Sequence, residues 1–134
     1  MKERIISISG RPGLYQLVKQ GRGMLIVESL DGSRHRTSVG STDKVMSLND
    51  ISIYCNDDDT LLTDVFAKIS AAENGEPLKF NARKAGAAEL RDYFAKVLPE
   101  YDRDRVHDSD IRKLLQWYDI LIQAGITDFE SPAE

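Results

Sequence analysis

The spacing of hydrophobic residues changes near Asn56 and divides the chain into two differently patterned parts. Before it, short runs rich in Ile, Val, Leu and Tyr are separated by glycine-bearing turns, which is typical of β-strands. The predicted strands are Ile5–Ile8, Leu14–Lys19, Met24–Ser29, Arg34–Ser38 and Ile51–Cys55. After it, apolar residues recur at every third or fourth position, which indicates helices.

The glycine-bearing breaks indicate how the predicted strands connect. Asp31-Gly32 lies between two apolar runs, and because both residues tolerate positive φ it predicts a tight hairpin. Several short antiparallel strands in about fifty residues favour a strongly bent sheet, and curling it protects its edges. We therefore expect residues 1–55 to form a small antiparallel β-barrel of the Src-homology-3-like or Tudor-like kind.

Three helices are predicted in residues 56–134, each with one apolar face at helical spacing. The three faces comprise Leu62, Val65, Phe66, Ile69 and Ala72; Leu90, Phe94, Val97 and Leu98; and Ile111, Leu114, Leu115, Tyr118, Leu121 and Ile122. Gly125 is placed to end the third helix as its C′ residue. Because each face needs a cover, we expect the helices to pack on one another and on the sheet, which makes the fold α+β.

Composition places the chain among globular proteins, with 41% hydrophobic and 30% charged residues. No apolar run approaches the roughly 20 residues needed to cross a bilayer, and the segment MKERIISISG has no long apolar stretch typical of a signal peptide. The single Cys55 excludes an internal disulfide and suits a reducing compartment. We therefore expect a cytoplasmic protein without membrane association.

Charge is distributed unevenly along the chain. Residues 1–55 contain eight Lys/Arg and five Asp/Glu, whereas residues 56–134 contain ten and seventeen. The candidate contact residues of the basic part are Arg11, Arg22, Arg34, Arg36 and Tyr15. Such a cluster could contact phosphates or an acidic protein, although stacking aromatic residues are scarce in this part. The alternative interpretation is a solvated barrel surface.

The block Tyr101–Asp110 contains four aspartates, two arginines and one of two histidines. Its candidates for a metal or acid–base site are Asp102, Asp104, Arg105, His107 and Asp110. The alternative is a charged helix entrance, in which Asp108 or Ser109 is the N-cap and Asp108 pairs with Arg112. Because no complete catalytic or metal-binding motif is present, we favour the helix entrance and expect no catalytic residue, metal or cofactor.

Several short motifs occur together along nearly the whole chain. They are Ile8-Ser-Gly-Arg-Pro-Gly-Leu-Tyr15, Ile26-Val-Glu-Ser-Leu30, Ile51-Ser-Ile-Tyr54, Val65-Phe66, Leu98-Pro-Glu-Tyr-Asp102, Arg105-Val106, Ser109-Asp-Ile111 and Trp117-Tyr118. In these motifs the chain resembles a family of short Bacteroidetes proteins described as a domain of unknown function. The resemblance implies an N-terminal small-barrel part and a C-terminal helical part, and it implies no activity, cofactor or catalytic residue.

These observations lead us to expect a non-catalytic binding or adaptor module. The expectation rests on the incomplete catalytic motifs and on analogy with small barrels used for recognition. We expect a protein partner, contacted through barrel loops or through Trp117 at the flank of the third helix's apolar face, unless Trp117 is part of the core. Nucleic-acid binding by the basic part and an enzymatic or metal site at residues 101–110 stay open as alternatives, and the oligomeric state is not specified.

Overall fold

The computed structural model describes residues 4–11, 13–30, 34–40, 43–126 and 129. Its first part contains five strands: β1 (Ile5–Ile8), β2 (Tyr15–Gly21), β3 (Met24–Ser29), β4 (Arg36–Gly40) and β5 (Val45–Ser47). They form one antiparallel sheet in the order β4-β3-β2-β1-β5. The bounds of β1 and β3 agree with the prediction, and the three-residue strand β5 was not predicted.

The nearly continuous apolar sequence of β1 follows from burial on both of its faces. Side chains alternate along a strand, so Ile6 and Ile8 point to one face and Ile5 to the other. Ile6 and Ile8 pack with Val27 and Val39 in a small apolar cluster of the sheet. Ile5 belongs instead to the core that the helices share. The sheet is therefore an integral layer of the fold, with cover on both sides of β1.

Two hairpins account for the middle of the sheet. Strands β2 and β3 join at a turn in which Gly23 has a φ of 65°, and their register shifts between Leu17 and Lys19. Strands β3 and β4 pair antiparallel, which confirms the hairpin predicted between them. The turn residues Asp31-Gly32 lie outside the described residues.

Residues 41–44 separate β4 from β5, which are the two outermost strands of the sheet order. The Asp43 backbone N–H donates to the Gly40 carbonyl at 3.2 Å, and the Asp43 carboxylate accepts the Gly40 N–H at 3.0 Å. Four inter-strand spacings of a flat sheet would separate β4 from β5 by about 19 Å, which is more than so short a connection spans, so the sheet is not flat. Strand β5 pairs with β1 alone in the described part of the chain, so closure of the predicted barrel is not confirmed.

The predicted strand Ile51–Cys55 does not join this sheet. A 3₁₀ turn (Leu48–Asp50) redirects the chain after β5, and β6 (Ser52–Ile53) then pairs with β7 (Thr60–Leu61) in a separate two-stranded sheet. Cys55 forms an isolated bridge with Tyr101. The partners of this segment therefore lie in the second part of the chain, and Ile53 and Cys55 belong to the core beneath the helices.

The three predicted helices are confirmed as α1 (Leu62–Glu73), α2 (Ala87–Val97) and α3 (Asp108–Gln123). Helix α3 ends in a Schellman motif, in which the Ile126 N–H donates to the Leu121 carbonyl at 2.9 Å and the Gly125 N–H to the Ile122 carbonyl at 3.0 Å. Gly125 has a φ of 82°, as its predicted C′ position requires. None of the helices in the described residues has the length and apolarity needed to cross a membrane.

The main hydrophobic core crosses the boundary between the two parts. Leu14, Leu30 and Leu48 from the first part are buried in one cluster with Phe66 of α1 and Tyr118 of α3. The change near Asn56 is therefore a change of secondary structure within a shared core. The division into units 1–55 and 56–134 stays a prediction about how the chain folds.

Candidate functional site

The acidic block at residues 101–110 connects α2 to α3 and is hydrogen-bonded to the β6 segment. Tyr101 is buried, the Asn56 N–H donates to the Glu100 carbonyl at 2.9 Å, and the Asp102 N–H donates to the Tyr54 carbonyl at 2.9 Å. These bonds flank the bridge between Cys55 and Tyr101. The start of the block is therefore paired through its backbone with residues 54–56.

Asp102 holds the next turn of the block together. Its carboxylate accepts the backbone N–H groups of Asp104 and Arg105 at 2.9 and 3.3 Å, and the Arg105 Nε at 2.8 Å. The hydrogen bond from Arg105 is the main cause that lowers the pKa of Asp102. The Arg105 guanidinium lies 4.5 Å from the ring centroid of Tyr54 and donates to the Cys55 carbonyl at 3.4 Å. The Asp102–Arg105 pair therefore ties this turn to the β6 segment.

The entrance of α3 differs from the prediction that Asp108 or Ser109 is the N-cap. The N-cap is His107, whose backbone N–H donates to the Asp110 carboxylate at 3.1 Å. This contact is the reciprocal bond of a capping box, and it places a carboxylate near the positive end of the helix dipole. Asp104 and His107 are exposed. The Asp110 carboxylate therefore accepts a hydrogen bond at the start of α3 and stabilises that end of the helix.

Asp108 has a partner from another helix. Arg91 of α2 donates to both of its carboxylate oxygens, at 2.7 and 2.6 Å, and this hydrogen bonding lowers the pKa of Asp108. The predicted pair of Asp108 with Arg112 is wrong, because Arg112 donates instead to the carbonyls of Ala82 and Ala85 at 3.3 and 2.8 Å. The packing of α2 against α3 therefore gives Asp108 a partner in Arg91, in place of Arg112 one turn along its own helix.

No metal site forms at this block within the described residues. No group of three or more His, Cys, Asp or Glu side chains is arranged to hold an ion there or elsewhere in the described chain. A groove of about 350 Å³ lies beside the block, and its lining includes Arg91, Arg103 and His107. Arg91 is paired with Asp108, and Arg103 lies 4.3 Å from the ring centroid of Tyr101 while donating to its carbonyl. This geometry favours the structural interpretation of the block.

The four candidate arginines of the basic part do not converge. Arg11 lies in the turn between β1 and β2, whereas Arg22 lies beyond the far end of β2, whose seven residues span about 23 Å. Arg34 and Arg36 both pair with Glu28, at 3.5 and 3.4 Å. Arg22 is therefore at the opposite end of the sheet from the other three arginines, and the predicted four-arginine cluster does not form.

A different set of residues forms a cleft of about 1000 Å³ between the sheet and α3. We call it the sheet–helix cleft and define it by Arg11, Lys44, Val45, Met46, Asn81, Arg83, Lys113, Gln116, Trp117, Asp119 and Ile120, with the adjoining residues of β1. Two candidates from the sequence, Arg11 and Trp117, are both part of its lining. Concave sites of this size that combine apolar and polar groups are typical of binding sites.

Apolar residues of β5 and α3 face this cleft. Met46 and Val45 are 55% and 40% exposed, which is high for large hydrophobic side chains. Trp117 is 9% exposed, so it is part of the core, and a small part of it lines the cleft. Lys113, one helical turn before it, places its Nζ 5.3 Å from the indole centroid. The cleft therefore has an accessible aliphatic surface beside a tryptophan whose ring is partly covered.

The charged groups of the cleft are mostly cationic. Arg11, Lys44, Arg83 and Lys113 line it, and Asp119 is the carboxylate among its described lining residues. The Asp119 carboxylate accepts the Leu78 N–H at 2.8 Å, and burial raises its pKa. The cleft therefore carries a positive local charge in a chain whose formal net charge is −4.

Sequence reasoning missed most of the cleft. Met46 lies in a strand of three residues, too short to show an alternating pattern, and Arg83 lies in a loop whose position depends on tertiary packing. One signal was available, because Lys113 and Trp117 are four residues apart on a predicted helix and so share a face.

Comparisons with known proteins agree with the resemblance read from the motifs. Residues 51–121 match the family described as domain of unknown function (DUF6852), and residues 3–48 match domain of unknown function (DUF5606). The chain is 49% identical to a Bacteroides vulgatus protein whose solution NMR structure was a structural-genomics target, with a TM-score of 0.79 over 96% of this chain and 91% of that one. No curated protein matches. The chain therefore belongs to the DUF6852 family and to an uncharacterised Bacteroidetes family, and its residues 3–48 match DUF5606.

Proposed function

We propose that the chain is a non-catalytic protein-binding module, and that the sheet–helix cleft is its contact site. The observation that carries the proposal is the exposure of Met46, 55%, within a concave site that Trp117 also lines. Contiguous apolar surface rimmed by polar groups marks protein interaction sites, and Met and Trp are among the residues enriched there. The module acts by holding a partner segment in this cleft.

We also propose that the five-stranded sheet closes into a small barrel. The order β4-β3-β2-β1-β5 brings the last strand beside the first, and the short connection between β4 and β5 curls the sheet towards closure. Both features support a Src-homology-3-like barrel, an architecture that places its variable loops around one rim. A cytoplasmic location is proposed as well, because Cys55 is a buried free thiol and suits a reducing compartment.

Nucleic-acid binding has weaker support than protein binding. Single-strand binders stack bases on exposed aromatic rings, but Tyr15 is half-buried against the sheet cluster and the ring of Tyr54 carries the Arg105 guanidinium. Arg34 and Arg36 share the carboxylate of Glu28, so their charge is partly neutralised. The candidate arginines Arg34 and Arg36 are thus partly neutralised, and the rings of Tyr15 and Tyr54 offer no open stacking surface.

Site-specific photo-crosslinking in the native cell tests the proposal. A photoreactive amino acid replaces Met46 in one variant and Val18 in a control, because Val18 is a similarly exposed apolar residue of the same sheet at 42% and lies outside the cleft. We expect a discrete protein adduct from position 46 and none from position 18. The proposal would be refuted by nuclease-sensitive adducts, by equal adducts from position 18, or by no adduct from position 46.

A further inference from the structure

We infer that the sheet–helix cleft binds an acidic peptide segment of its partner, with carboxylates held by the cleft cations and an apolar side chain packed against Met46. The inference rests on the proposed function and adds the chemistry of the occupant. Two independent features of the cleft carry it: the sign of its charge and the kind of apolar surface it exposes.

Charge complementarity identifies an anionic occupant. The cations come from separate elements, since Arg11 and Lys44 flank β1 and β5 while Arg83 and Lys113 come from the opposite wall. Asp119, the carboxylate among the described lining residues, already accepts a backbone N–H. Like charges that converge on a concave surface raise the local potential and attract an oppositely charged ligand. A basic or neutral segment would leave these cations without complementary groups.

The apolar surface identifies a peptide rather than a nucleic acid. The most exposed apolar side chain of the lining is aliphatic, that of Met46, and methionine adapts its shape to varied side chains. Trp117 is almost fully buried, and Lys113 lies over its ring, so no open indole face is offered for stacking a base. An aliphatic side chain flanked by carboxylates satisfies both features, whereas free phosphate would leave Met46 exposed.

A second copy of this chain is a poor occupant by the same reasoning. A two-fold interface centred on the cleft would bring its cations Lys44 and Arg83 close to those of the other copy. Such like-charge contacts disfavour association. We therefore assign the occupant to an acidic segment of another protein, and dimerisation through the cleft is an outcome of the test.

Peptide titration of the intact chain tests the inference. The probe alternates Glu with Leu; one matched control replaces every Glu by Lys, and a second replaces every Leu by Ser. Trp117 is the single tryptophan of the chain and lies in the cleft, so its fluorescence reports binding directly, with calorimetry as a second readout. We expect binding of the Glu/Leu peptide, about tenfold weaker binding of the Ser control, no binding of the Lys control, and loss of affinity as salt increases.

Charge reversal locates the binding site. Lys44→Glu combined with Arg83→Glu is compared with Lys68→Glu combined with Lys96→Glu, which makes the same change in net charge on exposed residues outside the cleft. We expect about tenfold weaker binding for the first pair and wild-type affinity for the second. Thermal unfolding of both variants verifies that they are folded, and Met46→Ser weakens binding independently of charge.

The outcomes separate this inference from the proposed function. An adduct from position 46 together with no binding of the Glu/Leu peptide would overturn the acidic occupant and retain the binding module. If both pairs of substitutions weaken peptide binding equally, binding depends on net charge alone and the cleft is not the binding site. Preferential binding of oligouridylate or of inorganic phosphate at the cleft would overturn the peptide inference, and a dimer that dissociates on Lys44→Glu substitution would assign the cleft to a second copy.

Discussion

Replacing Leu48 by alanine should destabilise both parts of the chain together. Leu48 is fully buried in the 3₁₀ turn between the five-stranded sheet and the helices, and this turn contacts both β1 and α1. It belongs to the cluster that contains Ile5 of the sheet and Leu62 of α1. Because one side chain contributes to both packing surfaces, the cavity left by its removal affects both.

The size of the effect follows from its burial. Truncation of a fully buried leucine to alanine costs about 2–5 kcal/mol, and the upper half of the range applies where surrounding elements cannot close the cavity. Here the turn is fixed on two sides, by the pairing of Ser47 with Ile6 of β1 and by the Leu62 N–H that donates to the Ile51 carbonyl at 2.9 Å. A domain is stable by about 5–15 kcal/mol, so the variant should stay folded with a clearly lower unfolding midpoint.

Urea unfolding observed with two probes measures this prediction. Trp117 fluorescence reports α3, and the backbone amide signal of Val27 reports the centre of the sheet. We expect both probes to give the same loss of free energy of unfolding, whereas Val18→Ala, an exposed control, should change it by less than about 0.5 kcal/mol. A sheet that unfolds at its wild-type midpoint while the Trp117 transition shifts would show two independent units and refute the shared core.

Three further predictions address local features. Gly125→Ala forces a side chain into positive φ at the end of α3 and should lower the free energy of unfolding by about 1 kcal/mol, measured by urea titration. Tyr93→Phe removes the hydroxyl that donates to buried Glu73 at 2.7 Å but keeps the ring contact with Phe80. Loss of this hydrogen bond should lower the free energy of unfolding by about 1–3 kcal/mol, measured in the same way. Because Arg105 lowers the pKa of Asp102, the stabilisation by Asp102 is present above its unfolded pKa and is lost as pH falls through the folded value. The Asp102→Asn variant should therefore differ from wild type in melting temperature at neutral pH and converge with it in acid, and an equal difference at both pH values would contradict the ion pair.

Features with local causes could be predicted from the sequence. The apolar faces of the helices depend on spacing alone, and the end of α3 depends on Gly125, which adopts positive φ at little cost. Strand β1 was recognisable because burial on both faces makes it nearly continuously apolar. Strands β5 and β7 were not, since segments of three and two residues show no alternation and gain their conformation from distant partners.

The prediction was wrong or incomplete where a residue's partner comes from a distant part of the chain. Asp108 has a strong preference for N-cap positions, yet the bidentate contact with Arg91 places it inside α3 and leaves His107 as the cap. In the cleft, Arg11 and Trp117 could be proposed from residue type, whereas Met46 and Arg83 could not, because only packing of the sheet against α3 makes them neighbours. Local sequence preference thus decided the elements, and long-range packing decided their partners.

The distribution of charge in the folded chain explains why net charge alone is a poor guide to its partner. The second part of the sequence is strongly acidic, yet it contributes Arg83 and Lys113 to the cleft, and carboxylates such as Asp102 and Asp108 are held by arginines elsewhere. An acidic partner segment would be repelled by the chain at distances where its net charge is felt, and attracted only within about 10 Å of the cleft at 0.1 M salt. Moderate salt should therefore speed the encounter while it weakens the bound state. A rate of association that rises with added salt, together with a faster dissociation, is the kinetic signature expected of this arrangement.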